Sequence, residues 1–526
     1  MKITQTRLIL AAALFFVVFD NLAFFRHVLE VYPASLKNIG FLASLFVGLT
    51  GFITLLLTLV CFRYTTKPVL ILLLLTSSFA SYFMNNYNVV IDDTMIQNML
   101  QTDFKEAADL LSLKLFIYFS LLGLLPAFFI YTARIAPLSW RKSAMARIKT
   151  GAISVLIVFA VILCFSKFYS SFFREHKPLR YYTNPVYSLY SVGKYINKTY
   201  YNAAAGVKLL GQEARIPATD IDRELVILVV GEAARADRFS LNGYPRETNP
   251  LLKQEEVISF ANMYSCGTST AYSVPCMFSF FGQDKYSDSK GRSTENLLDV
   301  MSHAGTHVLW RDNNSDSKGV ALRVPYQDYK QPEINPICDL ECRDEGMLVG
   351  LQEYIDGQKE GDILIVLHQM GNHGPAYYKR YPEAFEKFTP VCRSNQFDEC
   401  TNDEIGNAYD NAILYTDYFL SKVLALLKNN SSRFETAMVY LSDHGESLGE
   451  YGIYLHGLPY AMAPDPQKHV GALFWFGESF KIDTNALRSK STKRFSQDNL
   501  FHTILGLFEV ETTVYDKSLD IINYDH

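Results

Sequence analysis

Five apolar segments, each long enough to cross a bilayer, lie in the first third of this 526-residue chain. A membrane-spanning helix needs about 20 predominantly apolar residues. The hydrophobic content of 49%, with 14% aromatic residues, is also high for a soluble protein. We therefore predict five transmembrane helices, at residues 8–25, 41–62, 69–90, 115–133 and 151–169.

The charges between these segments predict their orientation. Arg63 and Lys67 lie after the second segment and five further Lys or Arg residues lie within 134–149, whereas the loop 91–112 holds five acidic residues against Lys105. Because cytoplasmic loops are enriched in Lys and Arg, the amino terminus is predicted to be cytoplasmic and the chain beyond residue 169 to lie outside. The alternative, a cleaved signal peptide at the first segment, lacks a small-residue cleavage site and is followed by four more spans.

Apolar runs in the later part of the chain end abruptly in polar residues. Each run predicts a buried strand of an α/β sheet, and such sheets carry their chemistry at the carboxyl ends of the strands. Carboxylate and imidazole ligands without thiolate suit a divalent metal such as zinc. The residues at the three strand ends are Glu232, then His368 with His373 shortly after it, and the adjacent pair Asp443 and His444.

From residue 223 onward, strand and helix patterns alternate, which predicts a mainly parallel sheet covered on both faces. Further strand candidates are residues 306–310 and 469–476, and helix candidates are 404–427 and 497–508. A net charge of -5 argues against a general nucleic-acid-binding surface, so no nucleic acid partner is expected. An anionic ligand would need a local basic patch.

The segment between the spans and the predicted sheet, residues 170–220, contains seven tyrosines. Two interpretations stay open: short helices at the level of the lipid headgroups, where aromatic residues with polar tips are favoured, or a linker packed on the soluble domain. The predicted domains are therefore 1–170, transmembrane, 171–220, interfacial, and 221–526, α/β.

The cysteines provide a second indication of topology. Two of the eight, Cys61 and Cys164, lie in predicted spans, and the other six follow the last span. Neighbouring cysteines in an oxidising compartment usually pair, and the alternative of a thiolate metal site lacks the expected CxxC and histidine spacing. We predict disulfides between Cys266 and Cys276, Cys338 and Cys342, and Cys392 and Cys400.

Hydroxyl side chains cluster in the segment 265–281, SCGTSTAYSVPCMFSFF. Pro275 is compatible with a helix only near its first turn, so Thr270 is predicted to lie close to a helix amino terminus, where backbone N–H groups favour an anion. A threonine hydroxyl is inert at neutral pH unless a base or a metal removes its proton. On spacing alone Thr268, Ser269 and Ser273 compete with Thr270, and any of the four could cap the helix.

Four motifs resemble those of the phosphoethanolamine transferases of the alkaline phosphatase superfamily. They are GEAARADR from Gly231, CGTSTAYSVPCMFS from Cys266, HQMGNHGPAYYKRYP from His368 and SDHGESLGEYGIYLHG from Ser442. The resemblance covers essentially the whole chain. Within the family it points to the lipid A enzymes of Gram-negative bacteria, the EptA and mobile colistin resistance group. One departure is the close spacing of Cys338 and Cys342.

The resemblance implies an inner-membrane protein in which five transmembrane helices precede a periplasmic sulfatase-like α/β domain. It implies transfer of phosphoethanolamine from phosphatidylethanolamine to a lipid A phosphate, with resistance to cationic peptides such as polymyxins as the result. Thr270 is implied as the residue that carries the group and as a zinc ligand with Glu232, Asp443 and His444. The residues implied around the donor phosphate or a second zinc are His368, His373, His456, Asn314 and Lys318.

Other functions are compatible with the same residues. A phosphoglycerol transferase or a sulfatase-like hydrolase could share this architecture, although a sulfatase would need a Cys or Ser in a CxPxR-type context. A membrane-anchored lipid-binding protein without activity is the non-enzyme alternative. We expect a monomer, and residues 85–109 are a further candidate for guiding the lipid headgroup.

Overall fold

The computed structural model describes residues 2–102, 104–174, 176–197 and 206–522. The chain forms two compact units: a helical unit of Met1–Ile96 with Leu111–Lys194, and an α/β unit of Gln97–Leu110 with Tyr195–His526. The segment Gln97–Leu110, which lies between two membrane-type helices in the sequence, packs within the α/β unit. Residues 198–205 of the predicted interfacial segment lie outside the described residues.

The amino-terminal part of the chain is helical. Among the described residues, four helices are each long and apolar enough to span a membrane, and a fifth span results if the first two helices, bent by 55°, are one span. The prediction of five spans preceding an α/β domain is thus confirmed. The helices are α1 (Gln5–Phe19), α2 (Leu22–Val31), α3 (Ile39–Val60), α4 (Thr66–Asn86), α5 (Asp93–Gln101), α6 (Phe104–Asp109), α7 (Leu113–Thr132), α8 (Trp140–Cys164), α9 (Ser166–Arg174) and α10 (Val186–Ile196).

Two predicted spans differ from the structure. The first is interrupted at Asn21, whose side-chain Nδ2 donates to the carbonyl of Phe16 at 2.9 Å, alongside the backbone N–H of Asp20. The fifth begins at Trp140 rather than at residue 151, because the basic residues before the apolar stretch are good helix formers and extend the helix. After α9, a short 3₁₀ helix (Lys177–Tyr182) and α10 follow, consistent with the predicted short helices.

A seven-stranded sheet forms the centre of the α/β unit. Its order is β2-β7-β6-β1-β5-β3-β4, and the strands from β6 to β4 run parallel, whereas β7 is antiparallel to both β6 and β2. The strands are β1 (Glu224–Gly231), β2 (Ile258–Ser259), β3 (His307–Asp312), β4 (Tyr326–Asp328), β5 (Ile363–His368), β6 (Glu435–Ser442) and β7 (Ala472–Phe476).

The register of the central strands determines where the functional side chains meet. Gly231 of β1 is paired with Ser442 of β6, and Val230 of β1 with His368 of β5. The apolar residues of these strands are buried, as expected for parallel strands covered on both faces. The residues that follow the three strands therefore lie together at one edge of the sheet.

The predicted strand 469–476 is divided. His469–Val470 pairs with Met263–Tyr264 in a small second sheet, whereas β7 belongs to the main sheet. The break falls at Gly471, where a Cβ would lie only 2.7 Å from the ring of Phe239. The aromatic ring packs against the backbone here, and only glycine leaves the necessary space.

Helices surround this sheet. The longest, α16, starts at a capping box in which Thr401 and Glu404 bind each other's backbone N–H. The helices of the α/β unit are α11 (Thr270–Met277), α12 (Gly282–Lys285), α13 (Asp288–Arg292), α14 (Leu297–His303), α15 (Leu351–Gly357), α16 (Asn402–Asn430), α17 (Thr484–Ser489) and α18 (Leu500–Leu507).

Three disulfides lie in the α/β unit and join Cys266 to Cys276, Cys338 to Cys342 and Cys392 to Cys400. We expect non-reducing peptide mapping of the active protein to recover these pairs, with Cys61 and Cys164 as thiols. Closing a short loop of this kind stabilises a fold by about 3 kcal/mol, so the yield should fall in cells without periplasmic oxidation. Cys164→Ser is the control and should leave the yield unchanged. Free thiols at Cys266 and Cys276 in active protein would contradict the prediction.

Candidate metal and nucleophile site

Four side chains from three elements converge at the carboxyl edge of the sheet. Glu232 follows β1, and Asp443 and His444 follow β6, the neighbouring parallel strand. Thr270 is the first residue of α11. Glu232, Asp443 and His444 each offer a ligand atom, and these three atoms lie within 4.8 Å of one another.

The hydroxyl of Thr270 lies directly against this group. Its Oγ1 donates to Glu232 Oε2 at 3.0 Å and lies 3.2 Å from His444 Nε2. The same imidazole nitrogen is 3.2 Å from Glu232 Oε1 and 3.4 Å from Asp443 Oδ2. One hydroxyl, two carboxylates and one imidazole thus face a common centre.

The competing hydroxyls of the segment point elsewhere. Thr268 Oγ1 donates to the carbonyl of Leu458, and Ser273 Oγ donates to the carbonyl of Asp443 and to Gln497 Oε1. Ser269 Oγ is buried without a hydrogen bond among the described residues. Thr270 is therefore the hydroxyl of the four that contacts Glu232 and His444.

The sequence predicts Pro275 in the first turn of its helix, but it lies further along. It is the sixth residue of α11 and cannot donate to the carbonyl of Ala271, four residues before it. Gln97 supplies the missing donor, with Nε2 lying 3.3 Å from that carbonyl. A side chain of the segment Gln97–Leu110 therefore supports the helix that carries Thr270.

Burial and mutual charge determine the protonation of the group. Burial alone would lower the pKa of His444, but Asp443 and Glu232 outweigh it and raise this pKa to about 10. Burial and the neighbouring Glu232 raise the pKa of Asp443 to about 6. For Glu232, burial is outweighed by His444, which holds its pKa well below the usual range. In the absence of a metal, the imidazolium thus balances part of the negative charge.

The residues fit a zinc ion. Asp443 Oδ2 and Glu232 Oε1 are buried and make no hydrogen bond among the described residues. One imidazole nitrogen of His444 faces both oxygens, and a bound cation would satisfy them more fully. Carboxylate oxygens, an imidazole nitrogen and a hydroxyl oxygen are ligands that zinc accepts.

A second group of possible ligands adjoins the first and shares His444 with it. It consists of His444, Glu446 and His456. His456 Nδ1 lies 2.8 Å from Glu446 Oε2, and the ring centroids of His444 and His456 are 4.2 Å apart. Tyr377 fixes the other carboxylate oxygen of Glu446 by donating from 2.6 Å.

His373 extends this imidazole cluster. Its ring centroid is 5.6 Å from that of His456, and its carbonyl accepts from Nε of Arg380. Burial lowers the pKa of His373 to about 3, so the ring is neutral at physiological pH. A neutral imidazole with a free nitrogen can accept a proton or bind a metal.

His368 is in a different environment from the other predicted histidines. It is fully buried, and its Nδ1 lies 2.9 Å from Asp312 Oδ2. This pairing raises the pKa of His368 against the effect of burial. The ring is out of contact with solvent, and its Nε2 makes no hydrogen bond among the described residues.

Asn314 and Lys318 lie at the edge of the site. Asn314 Nδ2 donates to Glu232 Oε2 at 2.9 Å, so it orients a predicted metal ligand. Lys318 Nζ is 3.4 Å from the carbonyl of Gln101, which places the side chain against the segment Gln97–Leu110. That segment is held further by Asp109, which binds Arg380 at 3.2 Å and also Lys379.

Two supporting residues have no signal in the sequence. Gln497 accepts from the backbone of Cys266 and donates to the carbonyl of Asp443, so it joins the nucleophile segment to the ligand pair. Asp312 orients His368 as described. Arg235, of the motif GEAARADR, is buried and pairs with Asp237 and Glu450.

Comparison with known proteins agrees with this architecture. Residues 224–510 match the sulfatase family, and residues 49–200 match the family described as phosphoethanolamine transferase EptA/EptB. The chain is 45% identical over 510 residues to phosphatidylethanolamine transferase Mcr-2 of Escherichia coli, covering 95% of this chain and 94% of the relative. It is 41% identical to phosphoethanolamine transferase EptA of Escherichia coli K12, covering 98% and 96%.

A solved structure shows the same arrangement. The integral membrane lipooligosaccharide phosphoethanolamine transferase A (EptA) of Neisseria meningitidis matches with a TM-score of 0.95 and 35% identity, covering 99% of each chain. The fold and site define a membrane-anchored member of the alkaline phosphatase superfamily. The chain belongs to the EptA and Mcr family of phosphoethanolamine transferases.

Proposed function

We propose that this chain transfers phosphoethanolamine from phosphatidylethanolamine to a lipid A phosphate through a covalent intermediate on Thr270. The observation that carries the proposal is the contact of Thr270 Oγ1 with Glu232 and His444 inside a metal-type ligand set. The relatives named for this activity support the choice of donor and acceptor.

The reaction has two displacements at phosphorus. In the first, Thr270 Oγ1 forms a bond to the donor phosphorus, the bond to diacylglycerol breaks, and diacylglycerol leaves with a proton. In the second, an oxygen of the lipid A phosphate forms a bond to the same phosphorus and the bond to Thr270 breaks. The product carries a diphosphate capped by ethanolamine, and the threonine hydroxyl is regenerated.

Zinc is the proposed cofactor. Glu232, Asp443, His444 and Thr270 would hold it, and His444, Glu446 and His456 offer a second position. When bound, zinc lowers the pKa of the threonine hydroxyl and neutralises charge on the phosphoryl oxygens. His373 and His456, whose ring centroids are 5.6 Å apart beside His444, are proposed to contact the donor phosphate or a leaving oxygen. Asn314 and Lys318 are proposed to support this contact.

The membrane topology follows from the charge distribution. With a cytoplasmic amino terminus, the α/β unit lies in the periplasm of a Gram-negative bacterium, which agrees with its three disulfides. Anchoring in the inner membrane keeps the enzyme, proposed to act as a monomer, at the bilayer that holds both lipid substrates.

Expression in a polymyxin-sensitive Gram-negative host tests this function. A phosphate monoester carries about -1.5 to -2 charges, whereas the capped diphosphate with its ammonium carries roughly -1 in total. Lipid A should gain phosphoethanolamine by mass spectrometry, and polymyxin tolerance should rise, with a larger gain at low salt because screening is weaker there.

The control is Thr270→Ala protein made at the same level. It should change neither lipid A nor tolerance. Equal protection by both proteins, with unmodified lipid A, would point to a lipid-binding protein without transferase activity. A phosphoglycerol adduct would identify the related transferase activity instead.

A further inference from the structure

A cavity of about 370 Å³ lies within the helical unit and shares no residue with the site on Thr270. Its volume is at the lower end of the range of small-ligand pockets, about 300 to 1,000 Å³. The cavity is lined by Leu22, Arg26, Asn85, Asn86, Lys114 and Tyr118.

These residues come from the ends of three helices. Leu22 and Arg26 are one turn apart at the start of α2, Asn85 and Asn86 end α4, and Lys114 and Tyr118 are one turn apart at the start of α7. Spacing of four residues places Leu22 and Arg26 on one face of α2, and Lys114 and Tyr118 on one face of α7. In the proposed topology the end of α4 and the start of α7 lie at the periplasmic boundary of the membrane, where a lipid headgroup is located. The hydrogen bond from Arg26 to Asn85 brings α2 to the same level.

Hydrogen bonds hold these helix ends together. Arg26 Nη2 donates to the carbonyl of Asn85 at 3.2 Å, which joins α2 to α4. Asn85 Nδ2 donates to Tyr118 OH at 2.9 Å and to Ser81 Oγ at 3.1 Å, which joins α4 to α7. The walls of the cavity are therefore braced without a ligand, and little ordering is needed when one binds.

The charges of the lining select the ligand. Arg26 and Lys114 are both cationic, the remaining polar residues are Asn85, Asn86 and Tyr118, and no carboxylate belongs to the described lining. Arg binds phosphate oxygens through its planar fork, and Lys binds them as a point charge.

We propose that this cavity binds the phosphate monoester of the acceptor lipid and so recruits lipid A to the enzyme; the proposal rests on the function proposed above. A phosphate monoester carries about -1.5 to -2 charges and matches two cations. Phosphatidylethanolamine is a poorer match, because its single phosphate charge is offset by an ammonium group for which the described lining offers no acidic partner. Leu22 provides an apolar wall beside the headgroup.

Lipid binding by the purified full-length Thr270→Ala protein, measured by native mass spectrometry, tests the proposal. The probes are lipid A with its phosphates, dephosphorylated lipid A, phosphatidic acid, phosphatidylethanolamine and inorganic phosphate. The lipids with a phosphate monoester should bind most tightly. The double variant Arg26→Gln with Lys114→Gln should weaken the binding of these lipids by about tenfold or more. Inorganic phosphate should compete only weakly, because it lacks the apolar part.

The matched control removes two cations outside the lining, by Lys37→Gln with Arg180→Gln, and should leave lipid binding unchanged. Unchanged lipid A binding in the Arg26 and Lys114 variant would overturn the proposal. Phosphatidylethanolamine binding as tightly as lipid A, with the same loss in the variant, would also overturn it. Thermal unfolding of each variant checks that the helices remain packed.

Kinetics separate this proposal from the transferase function. For this measurement Thr270 is kept. Protein with Arg26→Gln and Lys114→Gln should still take label from headgroup-labelled phosphatidylethanolamine at an unchanged rate. Its KM for lipid A should rise about tenfold or more. Failure of the unmodified protein to take up label would refute the function proposed for Thr270, whereas the binding order of the lipids would still decide the role of the cavity.

Discussion

Thr270→Ala should reduce phosphoethanolamine transfer to below about 1% of the natural rate, because the substitution removes the atom that bonds to phosphorus. The fold should be retained. The variant loses the hydrogen bonds of Thr270 to Glu232 and His444, each of which contributes about 1 kcal/mol to stability, and the cavity created is small. The measurement is transfer from a headgroup-labelled donor lipid to lipid A by purified protein.

Two companion variants make this result specific. Ser269→Ala removes the adjacent buried hydroxyl, which has no hydrogen bond among the described residues, and should keep activity near that of the natural protein. Thr270→Ser keeps a hydroxyl in reach of the same carboxylate and should retain part of the activity. Transfer by the alanine variant at more than a few per cent of the natural rate would remove Thr270 from the reaction.

Loss of one metal ligand should have an equally large effect. We expect Glu232→Ala, Asp443→Ala and His444→Ala each to weaken zinc binding by more than about a hundredfold, because changes to residues that merely orient a ligand already cost about 10- to 100-fold. Each should also stop transfer. The measurement is zinc content together with the rise in melting temperature that added zinc produces, which reports binding without reference to activity.

An acidic residue outside both ligand groups provides the control. Asp465 has an exposed side chain, and Asp465→Asn should change neither zinc content nor the melting temperature with zinc. A chelator should inactivate the natural protein, and zinc should restore it. Stoichiometric magnesium, or activity indifferent to chelators, would contradict the proposed zinc chemistry.

The strand-end residues could be predicted from the sequence because their signal is local. Each of β1, β5 and β6 is a short apolar run that ends in polar residues, and parallel neighbours bring such ends to one edge. Thr270 could be singled out from Thr268, Ser269 and Ser273 only by the family resemblance. The structure separates them by contacts, since Thr270 alone of the four contacts Glu232 and His444.

The supporting contacts could not be predicted, because they join residues far apart in the sequence. Gln97 reaches the carbonyl that Pro275 leaves without a donor, and Gln497 joins Cys266 to Asp443. The bend after α1 likewise depends on Asn21, which pairs with Asn184. No periodicity or spacing marks these residues, so the sequence predicted an uninterrupted first span at residues 8–25 and Pro275 in the first turn of its helix.

Trapping the intermediate tests the central claim most directly. Full-length protein is incubated with headgroup-labelled phosphatidylethanolamine in the absence of lipid A, then digested, and the labelled peptide is sequenced by mass spectrometry. We predict that phosphoethanolamine is esterified to Thr270 and that it leaves the protein when lipid A is added. Label on another residue, or transfer to lipid A with no labelled protein at any time, would contradict it.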